Sequence, residues 1–220
     1  MLSQNTLKFL RDLKKNNNRD WFARNKPRYE DAKKEFDVFI GGLIKEIAKF
    51  DKAVGNLEAK DCVFRIYRDV RFSKDKSPYK SHFGAHIVPG GKKMEMSRAG
   101  YYIHIAPNEC FLAGGAYMPP SEWIHAIRKE IHYNSKQLKK VLNGKDFKKY
   151  FGNMEGEKLS RPPQGYEKDH PDIEILKHKS LLASHEMKEK QVTEKKFLTH
   201  CAKVFKALQP FDKFLNQSMD

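Results

Sequence analysis

Most strand-forming residues of this chain lie in one block, residues 62–117, and amphipathic helical spacing lies on both sides of that block. Turn-forming residues such as Gly90-Gly91 and Pro107-Asn108 divide the block into short segments. Connections this short join antiparallel strands, whereas parallel strands need long crossovers. The sequence therefore predicts an α+β fold, in which an antiparallel sheet packs against N-terminal and C-terminal helices.

Period-two alternation predicts a first strand over residues 62–72. Further strands are predicted over residues 83–89, 101–106 and 110–113, with one more near residues 180–184. Gly114-Gly115 is interpreted as a turn that ends the fourth of these strands. Amphipathic spacing predicts helices over residues 5–15 and 27–50, a long helix after Ser121 with a break near Asn134, and a C-terminal helix.

The length of 220 residues predicts a single domain over residues 1–220, and 39% hydrophobic residues are enough for a real core. No apolar run approaches the roughly 18–20 residues that cross a bilayer, and the N-terminus lacks a signal-peptide pattern. A cytoplasmic location without membrane contact is the resulting expectation. Cys62, Cys110 and Cys201 are widely spaced, which favours reduced, buried thiols.

A formal net charge of +15 favours a polyanionic or phosphate-bearing partner. Only 10 of the 43 basic residues are arginine, and the other 33 are lysine. Lysine is a strongly hydrated point charge, whereas arginine is the usual reader of phosphates. The lysine excess is therefore typical of a solvated surface as well.

Three of the ten arginines lie within seven residues, at Arg65, Arg68 and Arg71. On a strand, Arg65 and Arg71 share one face, and a forked guanidinium matches phosphate or carboxylate with two hydrogen bonds. Lysines of the following loop and a tyrosine from a neighbouring strand extend this row of arginines into a polar strip. The complete candidate anion site is Arg65, Tyr67, Arg68, Asp69, Arg71, Lys74, Lys76, Lys80 and Tyr102.

The same residues are equally compatible with an internal lattice of ion pairs, in which Asp69 and Asp75 neutralise the arginines. The two interpretations make different predictions. An anion site predicts affinity that falls steeply with salt and is lost on Arg71→Ala without unfolding. A lattice predicts neither effect.

Histidines on the predicted sheet suggest an alternative, a metal site formed by Asp69, His86 and His104, with His82 nearby. His82 and His86 share a face, but four residues along a strand span about 13 Å. Two imidazoles so far apart do not share one metal unless the chain bends. No HExxH motif accompanies them.

The segment Arg65-Ile66-Tyr67-Arg68-Asp69-Val70-Arg71-Phe72-Ser73-Lys74-Asp75-Lys76-Ser77-Pro78-Tyr79-Lys80 resembles the signature of domain-of-unknown-function family 2461. The resemblance extends over the whole chain and implies one domain. It implies no catalytic or ligand residue. The other segments that carry it are Asn18-Arg19-Asp20-Trp21-Phe22, Gly100-Tyr101-Tyr102-Ile103-His104-Ile105, Arg161-Pro162-Pro163-Gln164-Gly165-Tyr166, Leu208-Gln209-Pro210 and Phe214-Leu215-Asn216.

Phosphate-binding Gly-rich loops and the GxSxG elbow are missing from the sequence, which disfavours common nucleotide-dependent and serine-hydrolase mechanisms. The residues therefore name no reaction and no cofactor. The leading hypothesis is a binding protein for an anionic ligand, either a phosphate-bearing small molecule or nucleic acid. The alternatives are a metal-assisted enzyme that uses Asp69, His86 and His104, and an interaction scaffold without a ligand.

Overall fold

Four antiparallel strands form one sheet in the order β1-β2-β3-β4. The computed structural model describes residues 1–94 and 96–219, and for Lys92 the backbone alone. The strands are β1 (Phe83–Ile87), β2 (Gly100–Ala106), β3 (Glu109–Ala116) and β4 (Leu181–Met187). The predicted α+β class and the predicted late strand are confirmed.

Residues 62–72 do not form the predicted first strand. Cys62 ends a short helix. Residues 63–72 are an extended loop that touches its neighbours through two isolated bridges, Val63 with Ala85 and Tyr67 with Tyr79. The apolar positions of the alternation do not share one buried face, since Ile66 is buried while Phe72 is 96% exposed. An extended chain places side chains on alternating sides whether or not a ladder of hydrogen bonds forms.

The prediction of a turn at Gly114-Gly115 is also wrong, because β3 continues through both residues to Ala116. A Cβ atom on Gly114 would lie 2.4 Å from Leu208 Cδ2 and 2.5 Å from the carbonyl oxygen of Gly100. Glycine at this position therefore allows the C-terminal helix to press directly on the sheet.

The helices lie at both ends of the chain and between the third and fourth strands. Asn134 departs from helical geometry inside the fifth helix, as its sequence predicts. None of the helices in the described part of the chain is long and apolar enough to span a membrane. They are α1 (Gln4–Lys15), α2 (Arg19–Arg24), α3 (Lys26–Ile47), α4 (Ala59–Cys62), α5 (Ser121–Leu142), α6 (Lys145–Phe151), α7 (Ile173–Leu176), α8 (Glu189–Val192) and α9 (Phe197–Gln217).

One face of the sheet is covered by helices, chiefly α9 across β3, with α1 and α3 beside it. Tyr101, Ile103 and Ile105 point into this core and are fully buried. Tyr101 contacts Phe205 of α9 with ring centroids 5.2 Å apart. Burying one such large side chain contributes about 1.5–3 kcal/mol, so this face holds the sheet to the helices.

The opposite face of the sheet is not covered by a helix layer of this kind within the described residues. Alternation along β2 directs Tyr102 and His104 to it, and the register pairs them with Ala113 and Phe111 of β3. On β1, His86 is opposite Tyr102. Local alternation and register therefore collect polar and aromatic side chains on one open face.

Each edge strand of the sheet is joined to an irregular segment by one isolated backbone bridge. Phe64 N–H donates to the carbonyl of Gly84 at 2.9 Å beside β1, and Glu155 exchanges two backbone hydrogen bonds with Leu182 beside β4. These segments each occupy one position along an edge strand. They also place Phe64 and Glu155 at opposite ends of the open face.

Candidate functional site

A cleft of about 590 Å³ lies between α2, the start of α3 and the loop of residues 66–80. Its cations are Arg19, Lys26 and Arg68, and Phe22, Tyr67 and Tyr79 form its aromatic wall. Within the described residues, the lining contains no carboxylate. We call this site the cation cleft.

The loop is attached to the helices by an amide clamp. Asn17 Nδ2 donates to the carbonyl oxygen of Tyr79 at 2.9 Å, and Tyr79 N–H donates to Asn17 Oδ1 at 3.1 Å. The Tyr79 ring stacks on Phe22 with centroids 4.0 Å apart. Because hydrogen bonds and stacking hold the same residue, the two walls of the cation cleft have a fixed spacing.

Ion pairs inside the loop satisfy two of the three clustered arginines. Arg68 pairs with Asp75 and also donates to the Ser77 carbonyl oxygen at 3.2 Å. Arg71 donates two hydrogen bonds to Asp69, at 3.0 and 2.7 Å. The hydrogen bonds from Arg71 hold the pKa of Asp69 at about 2. The lattice interpretation therefore describes part of this segment.

The nine predicted anion-site residues do not form one strip. Tyr67 and Arg68 line the cation cleft, and Tyr102 lies on the open face of the sheet. The ammonium of Lys80 lies 5.0 Å from the ring centroid of Phe64, beside that open face. The remaining five residues are exposed outside both cavities: Arg65, Asp69, Arg71, Lys74 and Lys76.

A larger cavity of about 940 Å³ covers the open face of the sheet, and we call it the sheet-face cavity. Its floor is a row of rings: His82 and His104 have centroids 4.2 Å apart, and His104 stacks on Phe111 at 4.7 Å. Tyr102 Oη and His104 Nδ1 share a hydrogen bond of 2.9 Å. The rim carries Glu109, Glu155 and Glu186.

Burial lowers the pKa of His82, His86 and His104 to about 4 in each case. For His82, the neighbouring His104 and Lys80 lower the pKa further. Burial raises the pKa of Tyr102 to about 12. At neutral pH the floor is therefore uncharged, and each imidazole offers one donor and one acceptor.

The structure does not bring the predicted metal ligands together. Asp69 lies in the exposed loop, whereas His86 and His104 lie on the sheet. In residues 1–94 and 96–219 there is no group of three or more His, Cys, Asp or Glu side chains placed to hold a metal ion.

Sequence reasoning missed Arg19 and Lys26, which belong to helices far from the arginine cluster along the chain. Asn18-Arg19-Asp20-Trp21-Phe22 is one of the segments that carry the family resemblance, and its Phe22 is buried against Tyr79. Sequence reasoning also missed the rim glutamates. Glu155 joins the sheet only through its bridge to Leu182, for which the sequence carries no local signal.

The family model described as "Conserved hypothetical protein (DUF2461)" matches residues 5–214. No curated protein and no solved structure matches the chain. The family match confirms the resemblance seen in residues 65–80 and the other signature segments. Since it extends over nearly the whole chain, the protein belongs to the DUF2461 family.

Proposed function

We propose that this protein binds a small phosphate-bearing ligand in the cation cleft. The observation that carries the proposal is the meeting of Arg19, Lys26 and Arg68 around one cavity whose described lining has no carboxylate. A phosphate there gains charge-assisted hydrogen bonds from more than one cation.

The cations differ in how much charge they offer. Arg68 is partly neutralised by Asp75, so it positions the loop more than it attracts an anion. Lys26 has only a loose contact with Glu30, 3.8 Å between two exposed side chains. Arg19 is exposed next to the cleft. Arg19 and Lys26 are therefore the principal phosphate ligands of the proposal.

The aromatic wall favours a ligand with a planar ring. Tyr67 is 53% exposed and lies 5.5 Å from Tyr79, centroid to centroid. Stacking of a base on such a ring contributes about 1–3 kcal/mol. A ring combined with a phosphate, as in a nucleoside monophosphate, uses both the aromatic and the cationic wall.

The test is a titration with AMP, adenosine and inorganic phosphate at fixed ionic strength, followed by calorimetry and thermal unfolding. AMP at about a hundred times its Kd stabilises the fold by about 2.7 kcal/mol. We expect AMP to bind more tightly than either fragment. Equal affinity for adenosine and AMP, or no stabilisation by any of the three, contradicts the proposal.

Variants assign the effect to the cleft. Arg19→Ala and Lys26→Ala are each expected to weaken AMP binding about tenfold, which corresponds to about 1.4 kcal/mol. Arg24→Ala is the matched control, since Arg24 ends the same helix α2 but lies outside the cleft lining. Much tighter binding of a short single-stranded oligonucleotide than of AMP would assign the cleft to nucleic acid instead.

A further inference from the structure

The sheet-face cavity has the opposite charge from the rest of the molecule. The chain carries 43 lysines and arginines and a formal net charge of +15. Yet the described residues that line this cavity include no lysine or arginine, and three of them are glutamates. The cavity therefore disfavours the anions that the cation cleft attracts.

The floor of the cavity has hydrogen-bonding capacity that the described residues do not use. His104 is only 9% exposed, and its one hydrogen bond to a described residue is with Tyr102. The ring nitrogens of His82 and His86 have no hydrogen-bond partner in residues 1–94 and 96–219. His82 and His86 are half-buried, whereas His104 is nine-tenths buried and lines the cavity. A polar group so deeply buried usually has its hydrogen bonds satisfied, so the ring nitrogen of His104 that the described residues do not use points to a ligand.

The chemistry of the lining narrows the kind of ligand. A metal ion is disfavoured, because the described side chains provide no set of three ligands. An anion would meet Glu109, Glu155 and Glu186. What remains is a ligand that donates hydrogen bonds to imidazole nitrogens and carboxylates and that also covers aromatic surface.

We propose that the sheet-face cavity binds an organic ammonium ion with a planar, apolar body. The ring of the ligand would lie along the row formed by His82, His104 and Phe111. Its ammonium would reach the rim at Glu186 or Glu109. Glu186 of β4 is opposite Phe111, and Glu109 lies two residues before Phe111 on β3.

An ammonium beside this cavity is already present in the molecule. Lys80 Nζ lies 5.0 Å from the centroid of Phe64, a residue of the cavity lining. This is the distance range of a cation–π interaction, which strengthens when the cation is desolvated. The aromatic lining is therefore compatible with a positive charge.

Glu155 differs from the other two rim carboxylates. It accepts a hydrogen bond from Ser184 Oγ at 2.8 Å, and Ser184 lies on the open face of β4. Its side chain is thereby held over the cavity, whereas Glu109 and Glu186 have no hydrogen-bond partner within the described residues. The latter two are free to turn towards a bound cation.

The test uses three probes that share an indole ring and differ in charge: tryptamine, tryptophol and indole-3-propionate. Binding to the full chain is measured by calorimetry and by NMR of the histidine ring protons. We expect tryptamine to bind at least tenfold more tightly than tryptophol, and indole-3-propionate to bind most weakly. Equal binding of all three, tightest binding of the alcohol or the acid, or no binding at millimolar concentration overturns the proposal.

Two substitutions locate the site without disturbing the core. Glu186→Gln removes an exposed rim charge and is expected to weaken tryptamine binding about fivefold, with tryptophol unchanged. Glu157→Gln is the matched control, because Glu157 is exposed and pairs with Lys179 outside the cavity. An equal loss for both variants would indicate a general charge effect and would contradict the proposed site.

Discussion

The cation cleft and the sheet-face cavity differ in charge and in how they are built. The cation cleft joins a helix pair to an irregular loop and depends on hydrogen bonds and ion pairs between residues distant in sequence. The sheet-face cavity follows from strand register, which places His86 beside Tyr102 and His104 beside Phe111. The lining of the cation cleft contains cationic side chains, whereas the lining of the sheet-face cavity contains carboxylates and neutral imidazoles.

This difference shows that a net charge of +15 describes the whole chain but not each of its surfaces. The cation cleft is lined by basic side chains and the sheet-face cavity by acidic ones, and their described linings share no residue. Each cavity is therefore expected to select its own class of ligand. Perturbations that affect one site and spare the other test this separation.

The largest expected effect comes from Gly114→Ala. The new Cβ would meet Leu208 and the backbone oxygen of Gly100 at about 2.5 Å or less, and overpacking of this kind costs about 3 kcal/mol. We expect tryptamine binding to be lost while the remaining folded protein still binds AMP. Urea unfolding and the two titrations measure this.

Gly41→Ala is the control for that substitution. Gly41 lies inside α3, and a Cβ atom added there would meet no described atom within 4 Å. Replacing a helical glycine by alanine stabilises by up to about 1 kcal/mol. A similar loss of stability in both variants would show that crowding at Gly114 is not the cause.

The second expected effect is a loss of stability in mild acid. In the unfolded chain a histidine takes up a proton below its ordinary pKa of 6.5, whereas folded His86 does so only near 4. The unfolded state therefore binds more protons in this range, and stability falls as the pH drops from 6.5 to 4. For His86 alone the full loss of stability, complete only below pH 4, is about 3 kcal/mol, of which about 2 kcal/mol is lost by pH 5.

Urea unfolding at pH 7, 6 and 5 measures this loss. His86→Gln is expected to reduce the pH dependence, and His125→Gln, at an exposed position of α5, is the control variant. His82 and His104 add to the same trend, because burial lowers their pKa as well. An unchanged slope in His86→Gln would show that this imidazole is already solvated.

A third, smaller effect is expected in the cation cleft. Asn17→Ala removes both hydrogen bonds to the backbone of Tyr79, at a cost of about 2 kcal/mol. We expect AMP affinity to fall about tenfold and tryptamine affinity to remain unchanged. Asn16→Ala is the neighbouring control, because the Asn16 amide donates a hydrogen bond to the backbone carbonyl oxygen of Asp12 in α1 and not to the loop. Parallel losses of both ligands would show that the two sites are coupled.

The smallest effect is expected for Arg71→Ala. The sequence alone predicts a loss of anion binding here, but Arg71 lies outside the cleft lining and pairs with Asp69 on the surface. Exposed pairs contribute little to stability. We expect AMP affinity within twofold of the original protein. A tenfold loss would place the anion on the outer side of the loop.

The sequence predicts those features of the fold that depend on local pattern. Alternation locates β2, and it correctly directs His86, Tyr102 and His104 to one face, because side-chain direction changes at every residue of a strand. The strand predicted from alternation over residues 62–72 does not form. Alternation does not reveal whether a neighbouring strand is present to form a ladder of backbone hydrogen bonds. Phe72, the last apolar residue of that pattern, is almost fully exposed.

The candidate sites were predictable only in part, because each is completed across the chain. Tyr67 and Arg68 were recognised from their cluster, but Arg19 and Lys26 join them only after the loop folds onto α2. Glu155 similarly reaches the sheet through a single bridge from an irregular segment. Contacts of this kind depend on the docking of two segments and leave no periodicity in either one.

The clamp between Asn17 and Tyr79 has a consequence for the order of folding. It joins residues 62 positions apart, so its loop-closure entropy must be overcome before its two hydrogen bonds form. The strands β2 and β3 are joined by a short hairpin, which closes at lower cost. The cation cleft is therefore expected to assemble after the transition state, and Asn17→Ala should accelerate unfolding while leaving the folding rate nearly unchanged.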